Sequence, residues 1–294
     1  VKSTGNGYDY VAIDGNSHIS STGNNASLWT GNHVWTIDFT STLTNFDTNY
    51  LFTGKLYKIK NTIINSHHTN GEDIGIFEGA FKATKGLFEK YGESRVLDTP
   101  ISEGGFMGAG VGAALAGKKP VIELQFFDFV YPALDQITTE AAKYYWKAGK
   151  AVPLVVRGPT GAGTRSGPFH SISPESLLAH HPGIKVVAPS NPYDAKGLLV
   201  ASIFDPNPVM YLEHKKLYRK PDLKMDVPLG LYEVELGKGK VVKGGDDVTV
   251  VAWSGMVPTA IEAAEELKKD NISVEIVDLR TIFPLAVSYT HLRA

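Results

Sequence analysis

The chain has 294 residues, 43% hydrophobic and 20% charged, with a formal net charge of −2 at pH 7 and no cysteine. That leaves room for about two domains of ordinary globular composition, and excludes disulfides, thiolate catalysis and cysteine-ligated zinc or iron–sulfur sites. Neither nucleic acid nor an anionic membrane is suggested by so balanced a charge, no apolar run reaches the roughly 20 residues of a membrane helix, and no signal-peptide pattern opens the sequence.

Residues 1–70 hold ten Asn, nine aromatic and only eight charged residues. Trp29, Trp35, Ile37 and Phe39 alternate with polar residues as a half-buried strand would. Residues 1–65 are therefore expected to be a β-rich segment of short hairpins. A small core accounts for its aromatic residues more simply than an adhesive or glycan-facing surface. His67-His68 reads as loop. From Phe77 to Tyr91 apolar residues recur at helical spacing, which predicts an amphipathic helix stopped by Gly92.

Val96 and Leu97 begin an apolar strand that Pro100 ends. Glu103 precedes Gly104-Gly105 at the mouth of a helix over 106–116, which is nearly free of large side chains and so suited to close packing. After a strand within the run from Lys118 to Phe129, an aromatic turn leads into a long helix expected over 129–148. Val152–Arg157 reads as a buried strand. Gly158–Pro168 is a glycine-rich loop leading to His170; it lacks the Gly-Lys-Ser/Thr ending of a phosphate-binding P-loop. A short helix to His181, a strand at 184–188, a helix at 193–204 and a strand at 209–213 follow. This alternation argues a doubly wound, mostly parallel α/β sheet. Residues 215–246 read as a linker. A second α/β unit then runs through a strand at 248–253, a helix at 256–269 and a strand at 273–277. The expected division is 1–65, 66–220 and 221–294.

Several blocks carry a specific resemblance. They are Asp98-Thr-Pro-Ile-Ser-Glu103, Glu123-Leu-Gln-Phe-Phe-Asp-Phe129, Pro132-Ala-Leu-Asp-Gln136, Arg157-Gly-Pro-Thr-Gly, Phe169-His170-Ser171, His181-Pro-Gly-Ile-Lys-Val-Val and Pro192-Tyr-Asp-Ala-Lys-Gly-Leu-Leu199. In this order, over roughly 71–284, the sequence resembles the beta subunit of the thiamine-diphosphate-dependent decarboxylating component of 2-oxo acid dehydrogenase complexes. The resemblance implies a transketolase-like pyrimidine-binding domain followed by a truncated transketolase C-terminal-like domain. It does not extend to residues 1–65, where the helix and apolar strand that the family places before Gly71-Glu72-Asp73 are not found, nor beyond Pro284.

The same resemblance implies roles. Glu103 matches the glutamate that bonds the aminopyrimidine of thiamine diphosphate and so promotes loss of the thiazolium proton. Alone, a glutamate at a helix start is explained by the macrodipole. Phe129 matches the aromatic residue packed on the pyrimidine, and Ile101 and Gln125 stand beside it as cofactor contacts. His170 matches a residue that meets the 2-oxo acid or its adduct, or assists acyl transfer to a lipoyl arm. Asp135 and Glu72 match acidic residues near the path between paired active sites, though solvated carboxylates would read the same way. Asp205-Pro-Asn207-Pro corresponds to a monovalent-cation site for K+, where turn chemistry is an equal explanation. The family's Gly-Asp-Gly…Asn motif for diphosphate and Mg2+ is missing from this sequence and belongs to another subunit. The expected partners are thus an alpha subunit in an α2β2 assembly and a lipoyl-bearing acyltransferase core. The expected reaction is oxidative decarboxylation of a branched-chain 2-oxo acid or pyruvate. The expected compartment is the cytoplasm, or the mitochondrial matrix in a eukaryote. The alternatives are a transketolase-like carbon transferase and a non-enzymatic adhesive fusion.

Overall fold

The computed structural model describes residues 67–218 and 220–285, together with the main chain of short antiparallel strands between residues 2 and 58. The expectations for Trp29 and for an aromatic surface in residues 1–65 lie outside the described side chains.

The first unit contains β1 (His67–Gly71), α1 (Leu87–Tyr91), β2 (Val96–Asp98), α2 (Glu103–Leu115), β3 (Lys119–Glu123), α3 (Tyr144–Ala148), β4 (Val155–Thr160), α4 (Glu175–Ala179), β5 (Lys185–Val187), α5 (Pro192–Phe204) and β6 (Val209–His214). The second contains β7 (Lys240–Lys243), β8 (Val248–Ala252), α6 (Met256–Leu267), β9 (Val274–Asp278) and β10 (Thr281–Phe283). The main sheet has the order β10-β5-β6-β4-β3-β1-β2. Every pair in it is parallel except β10 with β5. A smaller sheet has the order β7-β9-β8, with β7 antiparallel to β9. The expected parallel α/β architecture is therefore present. Its core is built from central strand residues such as Ile122, Val156, Met210 and Leu212, packed with Leu154, Phe106, Met107, Phe127 and Ile137. Burial on both faces explains the continuous apolar runs in these strands.

Several local expectations are corrected. His67-His68 lies not in a loop but in β1, between β3 and β2. This strand reads His-His-Thr-Asn-Gly, so its place is set by neighbouring strands and not by its own hydrophobic pattern. The amphipathic helix predicted over 77–91 forms only at Leu87–Tyr91. Before it, Glu78, Gly79, Lys82 and Gly86 all have φ between 61° and 76°, a left-handed conformation that no right-handed helix admits. The long helix predicted over 129–148 is three pieces: a 3₁₀ segment Phe127–Ala133, a π segment Asp135–Ala141, and α3. Pro132 has no N–H to give an α-helical ladder, and Ala142 N–H instead reaches Ile137 O, five residues back. The supposed linker contains β7, and the final strand β10 joins the first unit's sheet.

Helix α2 packs as closely as its composition predicts. A Cβ on Gly104 would lie 3.0 Å from Pro132 O, and one on Gly108 would lie 2.9 Å from Gln136 Oε1. On the sheet side, a Cβ on Gly110 would lie 2.1 Å from Ile122 Cδ1. The helix begins at Glu103 itself, so Gly104 and Gly105 belong to its first turn.

Candidate active site

From β1 the chain winds to β2 at one side, then crosses back to β3 at the other. The connections diverge between β1 and β3, and the carboxyl ends of those strands form the crevice where doubly wound sheets bind ligands. Glu72 and Asp73 follow β1, Ile101 and Glu103 follow β2, Gln125 and Phe129 follow β3, and His170 follows β4. One sheet edge thus carries seven chemistry-bearing positions far apart in sequence.

Glu103 opens α2 and is half-buried. It stands in the turn whose main-chain N–H groups have no intrahelical partner. Glu72 is 7% exposed, and its Oε1 is buried without a hydrogen-bond partner. Burial first, then the charges of Glu103 and Asp73, push the Glu72 pKa up to about 7. A carboxyl group titrating there can hold or release a proton under physiological conditions. Gln125 Nε2 donates to Asp73 Oδ2 at 3.3 Å, which joins the ends of β1 and β3. Asp98 accepts from Gly75 N–H at 2.5 Å and Ile76 N–H at 3.3 Å, and so folds the segment after Glu72 onto β2. Ile101 is 71% exposed on the rim.

A second cluster surrounds His170. Its ring meets Phe126 edge-on at 4.4 Å and Phe129 at 5.7 Å, while Phe126 and Phe129 meet at 6.2 Å. Phe81 adds an edge contact to Phe126 at 5.6 Å. Phe126 is therefore a contact of His170. His170 ends a short 3₁₀ turn, Pro168–His170, after an exposed loop in which Gly161, Gly163, Arg165 and Gly167 have positive φ. Asp128 supports this turn: its Oδ1 accepts Ser171 N–H at 2.9 Å and Ile172 N–H at 3.1 Å.

Beneath both clusters Arg157 of β4 bridges Glu123 of β3 and Glu213 of β6, all three nearly out of solvent. Tyr218 O–H donates to Glu213 Oε2 at 2.6 Å. Burial raises the Glu123 pKa against the opposing pull of Arg157. Two carboxylates on one guanidinium brace three strands directly under the crevice. Sequence reasoning missed Arg157, Asp128 and Asp73. A charged residue recurring near the carboxyl ends of otherwise apolar strands was the available signal for Arg157.

Asp135 and the Asp205–Asn207 pair stand apart from these clusters. Asp135 is exposed at the start of the π segment. Asp205 follows α5 and precedes β6, which puts it at the amino ends of the strands, the opposite edge from the crevice. Its carboxylate is bonded to Lys185 Nζ, and it accepts Asn207 N–H and Nδ2 at 2.9 Å. Among the described residues no group of three His, Asp or Glu converges as a metal site, and no helix is long and apolar enough to cross a membrane.

Comparison with known proteins identifies the two domains and their relatives. Residues 68–221 match the family model "Transketolase, pyrimidine binding domain", and residues 237–291 match "Transketolase, C-terminal domain". The chain is 48% identical over 217 residues to the 2-oxoisovalerate dehydrogenase subunit beta of Bacillus subtilis (strain 168), covering 73% of this chain and 66% of the relative. It is 46% identical over 219 residues to the pyruvate dehydrogenase E1 component subunit beta of the same organism, covering 74% and 67%. It is 45% identical to the corresponding subunit of Staphylococcus aureus (strain COL), with the same coverage. The chain thus spans about two thirds of the length of these relatives. A solved structure described as a split gene transketolase, an inactive beta4 tetramer, superposes with a TM-score of 0.61 at 21% identity, covering 75% of this chain and 67% of that one. That likeness concerns the fold.

Proposed function

The chain belongs to the family of transketolase-type beta subunits of 2-oxo acid dehydrogenases, and from that premise we propose that it supplies the pyrimidine half of a thiamine diphosphate site shared with an alpha subunit. The observation that carries this reading is the acid pair at the crevice: half-buried Glu103 beside Glu72, whose orphaned oxygen and raised pKa mark a site built to handle a proton. The donor set fits the aminopyrimidine end of the cofactor, with a carboxylate for its ring nitrogen, the Phe129 ring for its face, and Gln125 and Ile101 at the border. The diphosphate and Mg2+ are assigned to the alpha subunit, since this sequence has no Gly-Asp-Gly motif.

When bound, the cofactor supplies a nucleophilic carbon and an electron sink for decarboxylation of a 2-oxo acid. In this reading Glu103 would hold the pyrimidine ring nitrogen and so favour proton transfer at the bound cofactor. Glu72, which keeps its proton up to about pH 7, would lessen the negative charge beside it. His170, on its glycine-flanked loop, would meet the acidic substrate or the lipoyl group, where a donor N–H would stabilise negative charge. Phe126 and Phe129 exclude water around it. The acyl acceptor is a lipoyl-bearing acyltransferase.

Calorimetry with thiamine diphosphate and Mg2+ tests the shared site. The chain is titrated alone and mixed with a family alpha subunit that does not bind the cofactor by itself. Binding is expected only in the mixture, and Glu103→Ala should weaken it and lower turnover by about 10²-fold or more. Two folded, associated chains that bind no cofactor would remove the reading.

A further inference from the structure

Behind the His170 cluster lie two buried atoms of opposite charge, neither with a hydrogen-bond partner: Lys215 Nζ and Asp128 Oδ2. Lys215 follows β6 directly and is 4% exposed. Its Nζ lies 5.3 Å over the Phe126 ring, the same ring that His170 meets edge-on at 4.4 Å. Burial lowers the Lys215 pKa, and the Asp128 charge opposes that shift. A buried ammonium persists only when an anion compensates the lost hydration, and Asp128 is the anion that favours the charged form here.

The surroundings say what the pair holds. Residues 161–172 form a loop whose neck is closed by Gly161 N–H donating to Ile172 O at 2.7 Å. One flank of the loop rests on the two residues beside Lys215. A Cβ on Gly161 would meet the His214 ring at 2.3 Å, and one on Gly163 would meet Lys216 Cε at 1.8 Å. The other flank is anchored by Asp128 Oδ1, through Ser171 N–H and Ile172 N–H. Lys215 therefore stands between both supports of the loop that presents His170.

We propose that Lys215 is a positioning residue for His170: its buried ammonium attracts the Asp128 carboxylate across the gap between them, without a direct hydrogen bond, and so steadies the carboxylate whose Oδ1 anchors the loop. The importance of the device rests on the role proposed for His170, but its test needs no cofactor, substrate or alpha subunit. Failure of one reading is thus distinguishable from failure of the other. The test is site-resolved amide exchange of Ser171 and Ile172 in the full chain. Lys215→Met, which keeps the bulk and removes the charge, should speed exchange of those two amides about tenfold, the scale of one charged hydrogen bond. Exchange in the central strands should stay unchanged, and Lys215→Arg should restore protection. In an Asp128→Asn background, Lys215→Met should add nothing. Unchanged exchange in Lys215→Met, or an equal effect in both backgrounds, would overturn the proposal. A second measurement needs no variant: the Nζ chemical shift of the wild-type chain should report an ammonium at pH 7, and a neutral amine would overturn the proposal equally.

Discussion

Glu72 is held in the crevice at a cost to stability that depends on pH. Burial disfavours its charged form, and the nearby Glu103 and Asp73 charges disfavour it further, so the folded pKa stands at about 7 against an ordinary 4.5. Between those values the native chain binds more protons than the unfolded chain, and stability therefore falls as pH rises from about 4.5 to 7. Above 7 the penalty is complete. Glu72→Gln removes the charge while keeping the shape, so it should stabilise the chain by on the order of 2–3 kcal/mol at pH 8. The difference should shrink toward zero at pH 4–5. Denaturant unfolding of both proteins across this range checks the sign. A gain independent of pH would mean that Glu72 does not carry the proton assigned to it. On the proposed function, the same substitution should also reduce turnover of the chain mixed with an alpha subunit, since a buried group that costs stability when charged is a candidate for chemistry.

At the scale of elements, α2 shows how one helix serves packing and site together. Its small residues let the sheet and the 127–141 segment close on both sides, and that closeness places Glu103 at the crevice. Gly110 and Gly112 make opposite predictions. A methyl at Gly110 meets Ile122 Cδ1 at 2.1 Å in a filled core, whereas nothing lies within 4 Å of one at Gly112. Gly110→Ala should cost about 1–3 kcal/mol by overpacking, and Gly112→Ala should gain up to about 1 kcal/mol from helix propensity. Thermal unfolding of the two variants decides between this view and one in which the helix is merely flexible.

The legibility of the sequence follows the same division. Strands β3, β4 and β6 were readable because burial on both faces leaves apolar runs. Helix α5 was readable from Pro192 at its first turn and its length. The 77–91 segment misled because its apolar spacing is helical while its glycines turn the chain left-handed, and tertiary contacts decided the outcome. Strand β1 was illegible because its partners define it. In the candidate site, Glu103, Phe129 and His170 were proposed from motif blocks, and the fold brings them to one edge of the sheet. Asp128 and Lys215 were missed because what marks them is burial of unpartnered atoms, brought near the same aromatic cluster from positions 87 residues apart, which no local pattern records.

At the scale of the whole molecule, the joint between the two units is a chain of buried polar contacts with a short strand. After β9 the chain passes Asp278 and Arg280 and returns as β10 to the edge of the main sheet beside β5. Asp278 is wholly buried, accepts the Ser190 hydroxyl of the first unit and accepts Arg280 N–H at 3.0 Å. The Arg280 guanidinium grips Asp194 at the start of α5, through Nη2 at 2.6 Å and Nε at 3.1 Å. A cavity of about 530 Å³, lined by Ser190, Asp194, Lys240 and Val257 among others, runs along the joint. The interface is thus not a continuous apolar core, and the fork between Arg280 and Asp194 carries much of its specificity. Removing only the cation strands a carboxylate that is 1% exposed. Arg280→Met should therefore cost roughly 3–5 kcal/mol, somewhat less where the Asn191 amide still donates to the same carboxylate. The loss should appear first as faster amide exchange in β10 and the β7-β9-β8 sheet, with the main sheet following at higher denaturant. Replacing both partners, as Asp194→Leu with Arg280→Met, should recover most of the stability, because neither charge is then left unpaired. If the single and double variants lose stability equally, the joint is held by shape and not by the pair. If only the double variant is restored, the ion pair sets how the second unit is carried on a sheet whose opposite strands form the site.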